Sequence, residues 1–268
     1  MLYSDFHIHS HFSGDSDSPM ESMIEKGISL GLKTMCFTEH FDADFPEKFG
    51  DFSLDTKSYL QEFHQLKSRY ASQIELLFGV ELGMQEHLGE YYKQYTDSYP
   101  FDFVIASQHL ADGFDPYYPA YWQSRSASDG ICRYFEETLA NLKTMRSYDT
   151  LGHLDYIVRY SGNEKYHYSY QSYADYIDPI LKHIIEEDKC LEVNTAGLKY
   201  GLGHPNPQED VLKRYLELGG EKITIGSDGH KPEHLAYDFS LIPELLKSLG
   251  FRYYFIFRKR TPEAVSLF

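Results

Sequence analysis

Eight side chains able to bind a transition metal recur along the 268 residues: His7, His9, His40, Glu81, His109, His153, Asp228 and His230. Imidazole nitrogens together with carboxylate oxygens suit divalent zinc, manganese or iron. A His-x-His pair is weak evidence by itself, since 13 histidines in a chain of this length produce about 0.6 such pairs by chance. A spacing of two does place His7 and His9 on one face of a strand, where both can grip one ion. His11 continues the alternation and is read as outside the ligand set. Taken alone, Glu81 reads as an ordinary surface carboxylate. The joint pattern is what points to a polynuclear metal site, because each of these residues closes or follows a short apolar run.

Those runs, at 2–8, 33–37, 75–80, 101–106, 150–153, 190–194 and 222–225, predict strands, and 253–257 reads as one more. Helical patterns lie between them. Ser18-Pro19-x-Glu21 reads as an N-cap, a first-turn proline and a capping-box glutamate opening a helix that runs to Gly31. Tyr59, Leu60, Phe63, Leu66 and Tyr70 recur at helical spacing, as do Ile131, Phe135, Leu139, Leu142 and Met145. So do Tyr173, Ile177, Leu181, Ile184 and Ile185, where Pro179 must start or kink the helix. Further helices are expected over 208–218 and 233–249. Strands separated by helices predict parallel βα units, and roughly seven of them in one α/β domain, residues 1–268, predict a distorted (β/α)7 barrel. In such a barrel the strand C-termini meet at one face, which would gather the candidate ligands together with Asp155 and Asn194.

Composition narrows the function. A hydrophobic share of 42% excludes a disordered chain. With 25 Lys+Arg against 41 Asp+Glu the net charge is −16, which argues against nucleic acid or an anionic membrane as partner. An anionic substrate would need a locally positive site, and metal ions can build one. Cys36, Cys132 and Cys190 are odd in number and widely spaced, so no disulfide framework is expected and a cytoplasmic location fits. Cys36, inside an apolar run, is expected in the core. The first residues lack the basic and apolar regions of a signal peptide, and no run is long enough to span a membrane. His64, His87, His167, His183, His204 and His234 lack the strand-end placement and read as surface or helix residues.

The ordered set of motifs resembles the polymerase-and-histidinol-phosphatase (PHP) family. His7-Ile8-His9-Ser10 with Ser13-Gly14-Asp15 resembles its first motif, Thr38-Glu39-His40 the second, Ser107-Gln108-His109 the third and Ser227-Asp228-Gly229-His230 the fourth. Gly79-Val80-Glu81 and Gly152-His153-Leu154-Asp155 also match, so the resemblance spans 7–230. It implies a seven-stranded distorted barrel with three divalent ions, zinc, manganese or iron. His7, His9, Glu81 and Asp228 would bind the first. Glu81 would bridge to a second held by His109 and His153, and Asp15, His40 and His230 would hold the third. Some members carry histidine where Asp15 stands. Three such ions, less three carboxylates and one hydroxide, leave about +2, the complement of a phosphate monoester dianion.

Within the family the chain most resembles the histidinol-phosphate phosphatases of histidine biosynthesis. The resemblance implies hydrolysis of L-histidinol phosphate, with Glu81, Asp228 and His230 as catalytic groups and Arg159 and Lys199 as phosphate contacts. The last position usually carries arginine, and lysine offers a point charge in place of a fork. The partner implied is a small phosphomonoester; oligomeric state is not implied. Two other readings share the ligand set: a PHP phosphoesterase acting on nucleotides or other small phosphomonoesters, and a non-catalytic PHP module.

Overall fold

The structure is a computed structural model and describes residues 2–268. Seven strands form one sheet in chain order: β1 (Ser4–Ile8), β2 (Thr34–Phe41), β3 (Glu75–Gly83), β4 (Phe103–Ser107), β5 (Thr150–Leu151), β6 (Cys190–Asn194) and β7 (Ile223–Gly226). Every neighbouring pair is parallel. Parallel neighbours need long crossovers, which carry α1 (Met20–Ser29), α2 (Thr56–Tyr70), α3 (Gly89–Asp97), α4 (Pro119–Trp122), α5 (Ala127–Thr144), α6 (Tyr170–Glu186), α7 (Ala196–Lys199) and α8 (Glu209–Glu217). The strands are almost wholly buried because helices cover them outside and side chains fill them inside, and Cys36 lies in that core as expected.

The sheet closes nearly to a barrel where β7 returns to β1. Ile8 bridges Gly229 in parallel, His9 N donates to Gly229 O at 3.0 Å and Gly229 N to His7 O at 3.2 Å. Asp5 ties this seam. Its buried carboxylate accepts from Ser227 Oγ (2.5 Å), Ser227 N (2.9 Å) and Ala236 N (3.0 Å). The distortion is visible in β5, only two residues long, and in the register shift between Asp5 and Ile8.

Expectation and structure part in three places. The strand expected at 253–257 exists as β8 (Tyr253–Arg258), but it pairs antiparallel with β9 (Thr261–Ser266) outside the barrel sheet. This hairpin lies over the end where the strands begin. Phe257 meets Phe103 at a ring separation of 5.0 Å, and Arg258 grips both oxygens of Glu75 at 2.7 and 2.6 Å. The helix expected over 233–249 is confined to α9 (Ile242–Leu249). Ala236 and Asp238 adopt left-handed backbone, φ 50° and 53°, and so end any helix; Ala236 N goes to Asp5 instead. Finally, Ser18 does not cap α1, which starts behind Pro19 without a side-chain cap. The Ser18 hydroxyl donates to His230 O at 2.9 Å, and Ser16 joins it at 2.8 Å, so both serve the loop after β7. Pro179 sits inside α6, whose irregular residue is Tyr173. Among the described residues, no helix is long and apolar enough to cross a membrane.

The seam yields a prediction. Asp5→Ala removes the acceptor of three backbone N–H groups, those of His7, Ser227 and Ala236, and of the Ser227 hydroxyl, a loss of about 3 kcal/mol. Thermal unfolding with a chelator present, which removes any metal contribution, should show Tm lower by roughly 6–12 °C. An unchanged Tm would mean that the seam holds without this carboxylate.

Candidate metal centre

The strand ends bring the sequence-predicted donors to one place. His7 is the last residue but one of β1, with His9 just beyond the strand; His40 and Glu81 lie near the ends of β2 and β3, and His109, His153, Asp228 and His230 follow β4, β5 and β7. Glu81, fully buried, is the hub. Its Oε2 lies 3.1 Å from His7 Nε2, 3.5 Å from His9 Nε2 and 3.0 Å from His40 Nδ1. Its Oε1 lies 3.0 Å from His153 Nε2 and 3.3 Å from His109 Nε2. Asp228 Oδ1 is 3.5 Å from His9 Nε2 and 3.3 Å from His230 Nδ1. Asp15, on the loop after β1, reaches His230 Nε2 at 3.1 Å and His40 Nε2 at 3.7 Å.

These groups converge without hydrogen-bonding one another well. Nε2 of His7, His9 and His230, Nδ1 of His40 and Oε2 of Glu81 are buried and have no hydrogen-bond partner. Buried polar atoms are ordinarily paired. Bare nitrogens and a carboxylate oxygen aimed at a common point are instead what divalent cations require, so the residues fit metal ions. Three-donor groups form at His7, His9 and Glu81; at Glu81, His109 and His153; at His7, His153 and Asp228; and at His9, His40 and His230. A fifth group joins Asp42 to His40 and His109.

An outer layer of acceptors aims the rings, and most of it escaped sequence reading. Glu192, in the middle of β6, holds His7 Nδ1 at 2.5 Å and accepts from His153 N at 2.8 Å. Asp42 holds His109 Nδ1 at 2.7 Å. Ser13 meets His9 Nδ1 at 3.0 Å, accepts from His40 N and donates to Glu39, which also takes Ser10. With Nδ1 engaged as donor, Nε2 of His7, His9 and His109 is the nitrogen turned toward Glu81 and the one available to a metal ion. Signals existed: Glu192 is a carboxylate inside an apolar strand, Asp42 repeats the i, i+2 alternation after His40, and Glu39 lies within the Thr38-Glu39-His40 motif. Gly226 is needed beside them, because a Cβ there would stand 2.3 Å from His7 Cβ and 2.8 Å from Glu192 Oε1.

Crowding sets the charges. Burial pushes the Glu81 carboxyl up, but the rings of His7, His40 and His109 outweigh it and hold it well below the ordinary range. Burial, then His230 and His40, holds His9 well below the ordinary imidazole value. For His7, burial opposes the proton, yet Glu192, Glu81 and Asp228 prevail and raise it well above.

The donors floor a cavity of about 530 Å³. Arg159 lines it, carried by a 3-10 turn (Tyr156–Tyr160) after β5. Its guanidinium lies 4.0 Å from the ring centre of Tyr200 and 5.0 Å from that of Tyr156. Nε and Nη2 are buried without a partner, and no ion pair to a carboxylate is found among the described residues. Lys199 Nζ donates to Asp228 O at 3.0 Å, supporting the strand-end loop from behind. Asp155 and Asn194 stay out of the donor cluster: Asp155 accepts from Asn206 Nδ2 and Gln208 N, and Asn194 bonds Glu192 and Ala196 N. His11 pairs with Glu62 away from the centre. Two histidines read as surface or helix residues differ from that reading. His234 lines the cavity, and His204 is buried with Nδ1 2.7 Å from Pro205 O.

Comparison with known proteins adds independent findings. The PHP domain family matches residues 5–196. The chain is 36% identical to a probable histidinol-phosphatase of Clostridium acetobutylicum, over 88% of this chain and 89% of that protein. It is 31% identical to the histidinol-phosphatase of Lactococcus lactis, over 92% and 91%. The crystal structure of histidinol phosphate phosphatase from L. lactis, complexed with zinc, L-histidinol and phosphate, superposes with a TM-score of 0.89 at 30% identity, covering 98% of this chain and all of that one.

The outer layer predicts its own test. Glu192→Ala frees the His7 ring to rotate and to present the wrong nitrogen, so zinc affinity, measured by competition with a chromophoric chelator, should fall roughly 10–100-fold. Equal affinity in the variant would remove Glu192 from the centre's support.

Proposed function

The chain belongs to the PHP domain family, and from that premise we propose that it is a metal-dependent phosphomonoester hydrolase converting L-histidinol phosphate and water to L-histidinol and phosphate. The observation that carries this reading is the donor cluster around Glu81, open to a cavity beside an arginine with unpartnered donors. The likeness to a structure holding zinc, L-histidinol and phosphate supports it.

Three divalent ions, zinc with manganese or iron as alternatives, are assigned to this centre. His7, His9, Glu81 and Asp228 would hold the first, Glu81, His109 and His153 the second, and Asp15, His40 and His230 the third. Ions so held supply Lewis acidity to phosphate oxygens and lower the pKa of the water that attacks phosphorus. Glu81 would serve both of the first two sites, since its Oε2 faces His7 and His9 and its Oε1 faces His109 and His153. Asp228 and His230 stand at the cavity wall, where they orient the reacting water and the departing group. Arg159 receives the phosphate: its planar fork meets two oxygens at once, and the tyrosine faces hold it there while leaving Nε and Nη2 without a partner. Lys199 adds positive charge behind Asp228 and keeps that carboxylate's backbone in place. Cysteine nucleophiles have no part in this reading, since none of the three cysteines lines the cavity and Cys36 and Cys190 are buried. The three cysteines are free, in keeping with a cytoplasmic enzyme of one domain.

Two experiments test this. Phosphate release from a panel of phosphomonoesters, nucleotides included, with metal content measured on the same sample, should single out L-histidinol phosphate and give about three ions per chain. A preference for nucleotides, or a single ion, would refute the assignment. Arg159→Ala should lower kcat/KM for histidinol phosphate by roughly tenfold or more with metal content unchanged. A lower Tm with kcat/KM near wild type would instead make Arg159 a structural residue.

A further inference from the structure

The metal donors and Arg159, which suit an anion, line the cavity. So does a carboxylate that nothing above has used, Asp115, on the loop between β4 and α4. Asp115 is half-buried, and its Oδ1 accepts one hydrogen bond, from Tyr117 N at 2.8 Å. Among the described residues it forms no ion pair. The loop is fixed and not a loose tip: Tyr118 stacks on Phe49 at 4.9 Å, its hydroxyl donates to Phe49 O at 3.1 Å, and Tyr118 N donates to Asp115 O at 3.1 Å. Phe45, Phe49 and Phe52 supply an aromatic wall to the same cavity. Burial pushes the Asp115 carboxyl up, an opposing cost that a cation in the cavity offsets.

A substrate that is anionic at one end and cationic at the other matches a cavity that offers both an anion site and a spare carboxylate. We propose that Asp115 is a specificity-determining residue that receives an N–H cation of the substrate, its ammonium or its imidazolium, while the aromatic wall covers the ring. This rests on the functional reading above. The carboxylate makes no contact with the reacting phosphorus; it selects which phosphomonoester stays long enough to react. Uncharged alcohol phosphates would reach the same metal floor without this anchor.

The test compares kcat/KM for L-histidinol phosphate and for phenyl phosphate in the zinc-loaded wild type, Asp115→Asn and Asp115→Glu. The ratio of the two values should fall at least tenfold in Asp115→Asn, mainly through KM for histidinol phosphate, and recover in part in Asp115→Glu. The amine-free analogue, 3-(imidazol-4-yl)propyl phosphate, assigns the partner. An Asn effect that vanishes on it identifies the ammonium, and one that persists identifies the imidazolium. A ratio within twofold of wild type, or an equal loss on both substrates from a disturbed loop, overturns the proposal. A wild type that prefers histidinol phosphate while Asp115→Asn keeps that preference sinks this inference alone. A wild type that does not hydrolyse histidinol phosphate sinks the functional reading and this inference with it.

Discussion

A carboxylate with no exposure at all, ringed by five imidazoles within 3.5 Å, is the interaction on which the rest of this molecule turns. Burying Glu81 without positive charge nearby costs several kcal/mol. Protonating every ring would answer that cost only by placing like charges side by side, and His9 resists it: burial, His230 and His40 hold it well below its ordinary value. Divalent cations lodged between the lone pairs relieve both problems at once. That solution requires donors from several different strands to arrive at one point. A parallel barrel does this, because all its strands end on the same face.

Bringing donors together is not enough, since an imidazole can present either nitrogen. The orientation comes from a second set of acids and hydroxyls packed behind the rings. Glu192 and Asp42 take the Nδ1–H of His7 and His109, and Ser13, itself held by Glu39, takes that of His9. This layer makes demands on packing. β7 must approach β1 so closely that only glycine fits at 226. The same seam is joined by Asp5, so the closure of the barrel and the aim of His7 depend on one another.

A protein of net charge −16 would repel a phosphate dianion at long range, so the attraction has to be local. Arg159 contributes to it in an uncommon way. Tyrosine faces, not carboxylates, hold its guanidinium, which leaves its positive charge unneutralised and its Nε and Nη2 donors free. A carboxylate neighbour would have cancelled the charge that the anion needs.

Much of this was legible in the primary structure, for a physical reason. Metal donors are few in type, and strand ends are marked by where apolar runs stop, so their coincidence at His7, His9, His40, Glu81, His109, His153, Asp228 and His230 survives without any knowledge of contacts. Alternation of apolar runs with helical patterns likewise sufficed for seven parallel strands. The helix expected over 233–249 was misread because Ala236 and Asp238 carry no turn signature, and the left-handed backbone there is imposed by Asp5, more than two hundred residues away. Ser18 looked like a cap because local sequence cannot show the His230 carbonyl that claims its hydroxyl. The hairpin of β8 and β9 read as an eighth strand because periodicity is blind to which neighbour a strand will choose. Glu192, Asp42 and Asp115 are ordinary acids in a chain with 41 of them. Local chemistry and period determined which residues could bind metal and what kind of sheet would carry them. Only the folded chain decided which acid meets which ring and which cation stays unpaired, because those choices are made by partners far apart in sequence.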